Sequence, residues 1–460
     1  MTAPPDVVVI LSDDHGYADR SALGIHPEVG TPHLDRLAAE GVSARHAYTA
    51  APICSPSRAA IMTGRHPLSF GTTWFDDSHL PDDTTTLAER FAALGYHTGY
   101  FGKVHYGPEN VGDRGCPPHH GFHESMYGLA GRSQGRLHYL RHSREEYRAR
   151  GEAGWRTGVQ PLLEGDDEYE TDTFLTWEIG ERARDFITRG SAGDAPFFLM
   201  VAFNAVHNFC WQLPPEELAA RGLPERSDWD PRRRPYLDWY DDAIAPNLPH
   251  GREYYLAQLE LMDAEIGRIL DTVDNRNRNR DTVVVYLTDN GGSHCNYGDN
   301  TPLRGSKYTL FEGGIRTPWL MRWEGGGVSG GREVDGVVSA LDLYPTLLAA
   351  AGDDPGDGHG MNQLPLLRGD TTTGHTELHW DCGFQYATRV GEWKLRYADP
   401  QAPQVTEMLR HEHTDLGAGL SLHHLGDDPG ELRDLASDRP DVVARLTEAR
   451  EDWRRRTAPA

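Results

Sequence analysis

The chain of 460 residues is poor in cysteine, has no long apolar run and carries no basic excess, and each shortage removes a class of proteins. Its five cysteines, Cys54, Cys116, Cys210, Cys295 and Cys382, are odd in number and scattered, so they do not read as a disulfide framework and reduced thiols are expected. No segment approaches the roughly 20 consecutive apolar residues that span a bilayer, and no membrane partner is expected. Met1 to Asp6 lead straight into Val7-Val8-Val9-Ile10-Leu11 without the basic and apolar regions of a secretory signal. A cytoplasmic location follows, unless the sequence begins at a processed end. With 45 Lys and Arg against 70 Asp and Glu, the formal charge of −25 disfavours nucleic acid and anionic membranes as partners. Any site for an anion must then be a local basic pocket, better suited to a small ester than to a long polyanion. Internal repeats and low-complexity tracts are absent from the sequence.

The length exceeds one ordinary core, which predicts a large domain, residues 1–365, and a smaller one, residues 366–460. Strand and helix patterns alternate through the first, as expected of an α/β fold with a large, mixed but mainly parallel sheet flanked by helices. Strands are expected at Val7–Leu11, Tyr96–Phe101, Phe197–Phe203 and Thr282–Leu287. Helices are expected at Thr31–Glu40, from Cys54 onward, and at Thr84–Leu94, Glu170–Thr188, Arg252–Val273 and Leu341–Ala351. After the Gly- and Asp-rich stretch at 352–358 the texture changes: Thr376–Tyr397 reads as short antiparallel strands and Pro440–Thr457 as a terminal amphipathic helix. Two long irregular segments, Gly112–Asp167 and Asn208–His250, are candidate substrate-facing loops. The tryptophans of the second, Trp211, Trp229 and Trp239, are equally compatible with local anchoring.

Two constellations carry chemistry. In the first, Cys54 precedes Ser55, a plausible N-cap, and Pro56, which suits a first helical turn. That places Cys54 at a helix N-terminus, where backbone N–H groups favour an anion, with Arg58 four residues on along the same face. A buried structural cysteine beside a surface arginine would give the same local pattern. In the second, the runs Val7–Leu11 and Val283–Leu287 each end in hard oxygen ligands, Asp13-Asp14 and Asp289-Asn290. Ligands bind at the carboxyl ends of parallel strands, and four oxygen donors suit Ca²⁺, with Mg²⁺ possible, over a soft metal. The pairs His119-His120 and His423-His424 lack a ligand framework and are read as non-metal.

The stretch Cys54-Ser55-Pro56-Ser57-Arg58 resembles the C-x-P-x-R signature of the type I sulfatases, the formylglycine-dependent branch of the alkaline phosphatase superfamily. Further matches follow in order. Gly95–His105 resembles G-Y-x-T-x-x-x-G-K-W-H with Val104 for Trp, and Asn204-Ala205-Val206-His207 stands where A-P-H is usual. Pro302–Lys307 resembles P-L-R-G-x-K, and Glu312–Arg316 resembles E-G-G-x-R. The C-terminal Arg389–Leu395 and Asp428–Leu432 also resemble the family, and Thr288–Gly292 with Pro302–Gly305 is similar to the arylsulfatases and N-acetylgalactosamine-4-sulfatases.

The resemblance implies an alkaline-phosphatase-like fold and hydrolysis of a sulfate monoester, on an aryl sulfate or a sulfated sugar. It implies conversion of Cys54 to formylglycine by a formylglycine-generating enzyme, which also removes the mismatch between a thiolate and a hard cation. One hydroxyl of the aldehyde hydrate would attack sulfur, and the second would expel sulfate. By the same resemblance Asp13, Asp14, residue 54, Asp289 and Asn290 hold the metal, and Arg58 fixes the formylglycine. Lys103 and Lys307 bind sulfate oxygens, His105 deprotonates the diol, and His207 stabilises or protonates the leaving alcohol, with Lys307 a second candidate for that role. Val104 and Val206 depart from the pattern at the leaving-group end of the pocket. The competing readings are a phosphomonoester or phosphonate hydrolase of the same superfamily and an inactive sulfate-ester-binding protein.

Overall fold

The computed structural model describes residues 3–190, 193–276, 280–405 and 414–459. Runs of β-branched and aromatic residues, buried on both faces, build the centre of a ten-stranded sheet. Its strands are β1 (Asp6–Ser12), β2 (Val42–Tyr48), β3 (His97–Val104), β4 (Glu124–Leu129), β5 (Leu162–Glu164), β6 (Asp167–Tyr169), β7 (Phe197–Ala202), β8 (Thr282–Thr288), β9 (Trp319–Arg322) and β10 (Arg332–Ser339). They lie in the order β10-β2-β9-β8-β1-β7-β3-β4-β5-β6. The contiguous block β8-β1-β7-β3-β4 is parallel, while β9 and the β5–β6 end run antiparallel to their neighbours.

Alternation along the central strands feeds two cores. Val8 and Ile10 face one layer with the helices Leu175–Gly190 and Gly251–Asn275. Val7, Val9 and Leu11 face the other with Cys54–Thr63, Leu87–Ala93 and Leu343–Ala351. Such a strand reads as a continuous apolar run because neither face meets water. Among the described residues no helix is long and apolar enough to cross a membrane, and no disulfide joins the five buried cysteines.

Several element ends differ from the sequence expectation. The helix at Cys54 begins with Cys54 itself, and Ile53 in extended conformation is its N-cap. Ser55 sits inside the first turn, its hydroxyl buried without a partner. The helix expected from Thr84 starts at Leu87, because Thr86 and Glu89 form a reciprocal capping box there. The helix expected from Glu170 starts at Leu175, as Thr171 pairs in a bridge with His142.

A four-stranded antiparallel sheet, β11 (Glu377–Asp381), β12 (Gln385–Val390), β13 (Trp393–Ala398) and β14 (Gly419–His424), is covered by the helix Pro440–Thr457 through Val442 and Leu446. The ammonium of Lys394 on β13 lies between Glu312 (2.9 Å) and Glu431 (3.0 Å), all fully buried. Tyr48 on β2 also donates to Glu312 (2.7 Å), so this ion cluster ties the small sheet to the large one.

Trp453 of the terminal helix stacks on His379 (4.9 Å) and meets His66 edge-on (4.8 Å). Burial is the main cause that brings His66 down to about 3 and His379 to about 4. A depressed imidazole stabilises the fold above its unfolded value near 6.5, and that stabilisation is lost as pH falls toward the folded values. Thermal melting should therefore drop between pH 6.5 and 4, with up to roughly 3 kcal/mol lost per histidine. The double variant His66→Gln/His379→Gln should show a visibly flatter profile in scanning fluorimetry; an unchanged slope would reject the assignment.

Candidate active site

The carboxyl ends of β8, β1, β7 and β3 finish level with one another. Leu11 pairs with both Leu287 and Ala202, and Ala202 pairs with Gly102. The residues just beyond these ends are Asp289-Asn290, Asp13-Asp14, Asn204 to His207, and Lys103 to His105. Residues spread across the sequence thus meet at one edge of the sheet. Gly102 (φ 125°) is required at this convergence, because a Cβ there would lie 1.9 Å from the Ala202 carbonyl oxygen. Asp14 itself takes a left-handed backbone (φ 58°), a conformation of the strained kind that collects at functional sites. Cys54 arrives from the adjacent helix, and Lys307 from a loop fastened by Lys307 N–H to Gly292 O (3.1 Å) and Tyr308 N–H to Pro52 O (2.7 Å).

Asp13, Asp14 and Asp289 are completely buried, and each has a cationic partner. Arg58 donates from Nε to Asp289 Oδ2 (2.8 Å) and from Nη1 to the Lys103 carbonyl (3.2 Å), with Nη2 3.5 Å from Asp13. Lys103 Nζ donates to Asp13 Oδ2. Lys307 Nζ lies 2.7 Å from Asp14 Oδ1, and Asn290 Nδ2 donates to the same oxygen at 2.7 Å. Burial, then the neighbouring Asp13 charge, raises the Asp289 carboxyl above its ordinary value against the pull of Arg58 and the two lysines. Asp14 holds the Lys307 ammonium well above its usual range despite burial.

The donor set fits a hard divalent cation. Asp13 Oδ1 and Asn290 Oδ1 are buried oxygens with no hydrogen-bond partner, and ligand atoms of Asp13, Asp14, Cys54 and His207 lie within 4.8 Å of one another. Among the described residues this is the one His/Cys/Asp/Glu group so disposed. Buried acceptors left unpaired are expensive unless a cation or donor meets them. Carboxylate and amide oxygens are what Ca²⁺ and Mg²⁺ prefer.

The Cys54 thiol does not suit nucleophilic work as it stands. Burial pushes it up to about 11, against the pull of Lys307 and Lys103, so it is protonated at neutral pH. His105 and His207 are held well below the ordinary imidazole value by burial first and by Lys103 and Lys307 next. Both are neutral, and the Nδ1 of each is buried without a partner. Above these residues opens a cavity of about 470 Å³ reached by Cys54, His105, His207 and Lys307.

All ten residues singled out by sequence, from Asp13 to Lys307, come together at this edge. Others were missed. Asn296 donates to Asp14 Oδ2 (3.0 Å) and Asn300 accepts from Gly292 N–H (3.0 Å); the asparagine-rich run after Asn290 was the available signal. Trp74, Tyr308, Gln134 and Arg136 line the cavity. The last two belong to the segment 112–167 suspected of facing substrate. The segment 208–250 does not reach the cavity: Trp211 and Trp239 pack edge to face (5.9 Å) around Phe209, as buried anchors. His119, His120, His423 and His424 lie outside the metal-holding group.

Known proteins similar to this chain show its family. The sulfatase family model matches residues 5–353. The chain is 29% identical to arylsulfatase A of Bos taurus, over 97% of this chain and 86% of the relative. It is 28% identical to N-acetylgalactosamine-6-sulfatase of Canis lupus familiaris, over 96% of this chain and 84% of the relative. The crystal structure of Ps i-CgsB in complex with k-i-k-neocarrahexaose superposes with a TM-score of 0.78 at 25% identity, covering 98% of this chain and 93% of that one. Sulfatases generally work with a formylglycine and a divalent metal. The chain belongs to the sulfatase family and is a sulfatase, an enzyme that hydrolyses sulfate esters.

Proposed function

We propose that this sulfatase cleaves the sulfate monoester of an aryl alcohol or a sugar at residue 54, after a formylglycine-generating enzyme has oxidised Cys54, with Ca²⁺ or alternatively Mg²⁺ as the metal. The observation that carries the reading is the placement of Cys54 at the head of its helix, within 4.8 Å ligand-atom reach of Asp13, Asp14 and His207. Relatives named for aryl and N-acetylgalactosamine sulfates support both substrate kinds.

Asp13, Asp14, Asp289 and Asn290 would hold the cation, together with an oxygen carried by residue 54. When bound, such a cation neutralises sulfuryl oxygens and acidifies a ligating hydroxyl. Arg58, fixed between Asp289 and the Lys103 carbonyl, orients the first turn of the Cys54 helix. Lys103 and Lys307 sit on the two sides of the carboxylate cluster, where their ammonium groups meet sulfate oxygens. His105, neutral and lining the cavity, accepts a proton from the residue 54 oxygen during release of sulfate. His207 faces the same cavity and protonates the departing alcohol, with Lys307 as the alternative donor. Preorganised charge of this kind is the main source of rate in a transfer that needs little covalent help.

Peptide mass spectrometry of active enzyme should find residue 54 short of one sulfur and two hydrogens and richer by one oxygen. Cys54→Ala should lower sulfate release at least about 10³-fold, and full activity in that variant would reject the nucleophile. His207→Ala should lower kcat about 10²–10⁴-fold, with a smaller loss on substrates whose alcohol leaves easily. Parallel kinetics on aryl sulfate, phosphate and phosphonate should favour sulfate, and a large preference for phosphorus esters would contradict the reading.

A further inference from the structure

The part of the cavity that would receive the alcohol is built by residues outside the family motifs, and its chemistry is uneven. One wall is aromatic. Trp74 and Tyr308 stand with ring centroids 6.3 Å apart, Phe384 of the small sheet backs Trp74 edge-on at 4.9 Å, and Phe75 at the mouth is 37% exposed. An exposed phenylalanine beside a buried tryptophan at a cavity mouth offers a flat apolar face to an incoming ring.

Gln134 and Arg136 also line the cavity, with Gly135 between them in the chain. The turn Ala130–Ser133 ends in two successive left-handed residues, Gln134 (φ 53°) and Gly135 (φ 86°). They carry the backbone directly past both histidines: a Cβ on Gly135 would lie 3.0 Å from His105 Cε1 and 3.7 Å from His207 Nε2. A left-handed backbone suits glycine, but Gln134 bears a steric cost for it.

Arg136 follows immediately and is only 3% exposed, yet it lines the cavity. Its Nη1 donates to Gln134 Oε1 (2.9 Å), and its guanidinium lies 5.4 Å from the ring centres of both Phe209 and Tyr240. These contacts hold the guanidinium in one place. It lines the same cavity as His207. A fixed cation on the alcohol side, separate from the lysines at the sulfate end, has a use if the alcohol itself bears negative charge.

Resting on the sulfatase reading, we infer that Arg136 is a specificity residue that binds a second anionic group, a carboxylate or another sulfate, on a ring-shaped alcohol seated against Trp74 and Tyr308. The preferred substrate is then a sulfated ring with at least two negative charges. The single sulfate ester of a neutral phenol is a poorer one.

The test uses mature enzyme with formylglycine verified at residue 54. Rates are compared for para-nitrophenyl sulfate, a monosulfated neutral hexosamine, a disulfated hexosamine and a sulfated uronic acid. Wild type should favour one of the two doubly anionic sugars over the monosulfated sugar by about 10- to 100-fold in kcat/KM, mainly through KM. Which of the two is favoured tells sulfate from carboxylate. In Arg136→Gln the ratio of doubly to singly charged sugar should collapse toward one, and Arg136→Lys should restore part of it. A wild-type ratio near one overturns the inference without any variant, as does an Arg136→Gln enzyme that slows on every substrate alike and keeps the wild-type ratio. Sulfate release from para-nitrophenyl sulfate alone would leave the sulfatase reading intact while rejecting the role of Arg136. No release from any of the four would overturn both.

Discussion

Three carboxylates buried side by side at the tips of two neighbouring strands are the constraint on which the rest of the site depends. Asp13, Asp14 and Asp289 are fully withdrawn from solvent, and like charges so placed are tolerable only if cations meet them. The chain supplies three, each from a different element: Arg58 from the Cys54 helix, Lys103 from the end of β3 and Lys307 from the loop after β8. Satisfying the carboxylates therefore draws helix, strand and loop to a single point. In the proposed reading the same ion pairs position two lysines for the sulfate oxygens. Stability of the cluster and preorganisation for an anion are the same set of contacts.

That arrangement also bears on the proposed oxidation of Cys54. The carboxylate-rich, dehydrated surroundings keep the Cys54 thiol protonated, and a thiol is a weak ligand for a hard ion. An oxygen at residue 54 would join Asp13 Oδ1 and Asn290 Oδ1, the two acceptors left without hydrogen bonds, in one oxygen-rich set. Neutral His105 and His207 line the cavity beside this set, His207 Nε2 standing 3.7 Å from Asp14 Oδ2.

The fold and the site were legible in the sequence to different depths. The parallel centre was readable because strands buried on both faces write continuous apolar runs, as Val7–Leu11 and Val283–Leu287 do. Their ligand pairs were visible as well. That the two tips are neighbours, with Leu11 beside Leu287, is a fact of register between segments some 275 residues apart, and only the family resemblance pointed to it. Ser55 was misread as a cap, since serine before proline is a common helix start. Here Ile53 enters extended, and the Pro52 carbonyl is already engaged by Tyr308. Asn296, Gln134 and Arg136 were missed for another reason: they act from irregular loops, where no periodicity marks which side chain turns inward. The small sheet was recognised by its texture, while its attachment through Lys394 to Glu312 depends on tertiary contacts between distant motifs.

The central claim is that the tips of β1 and β8 seat one hard cation against an oxygen of residue 54. A crystal structure of the mature enzyme grown with Ca²⁺ tests it most directly, through density and anomalous signal at that position. The account predicts a single ion bridging Asp13, Asp14, Asp289, Asn290 and an oxidised residue 54, with oxygen distances of roughly 2.3–2.6 Å. Density showing an intact thiol, with Lys103 and Lys307 still closed on the carboxylates and no ion between them in active crystals, would contradict it.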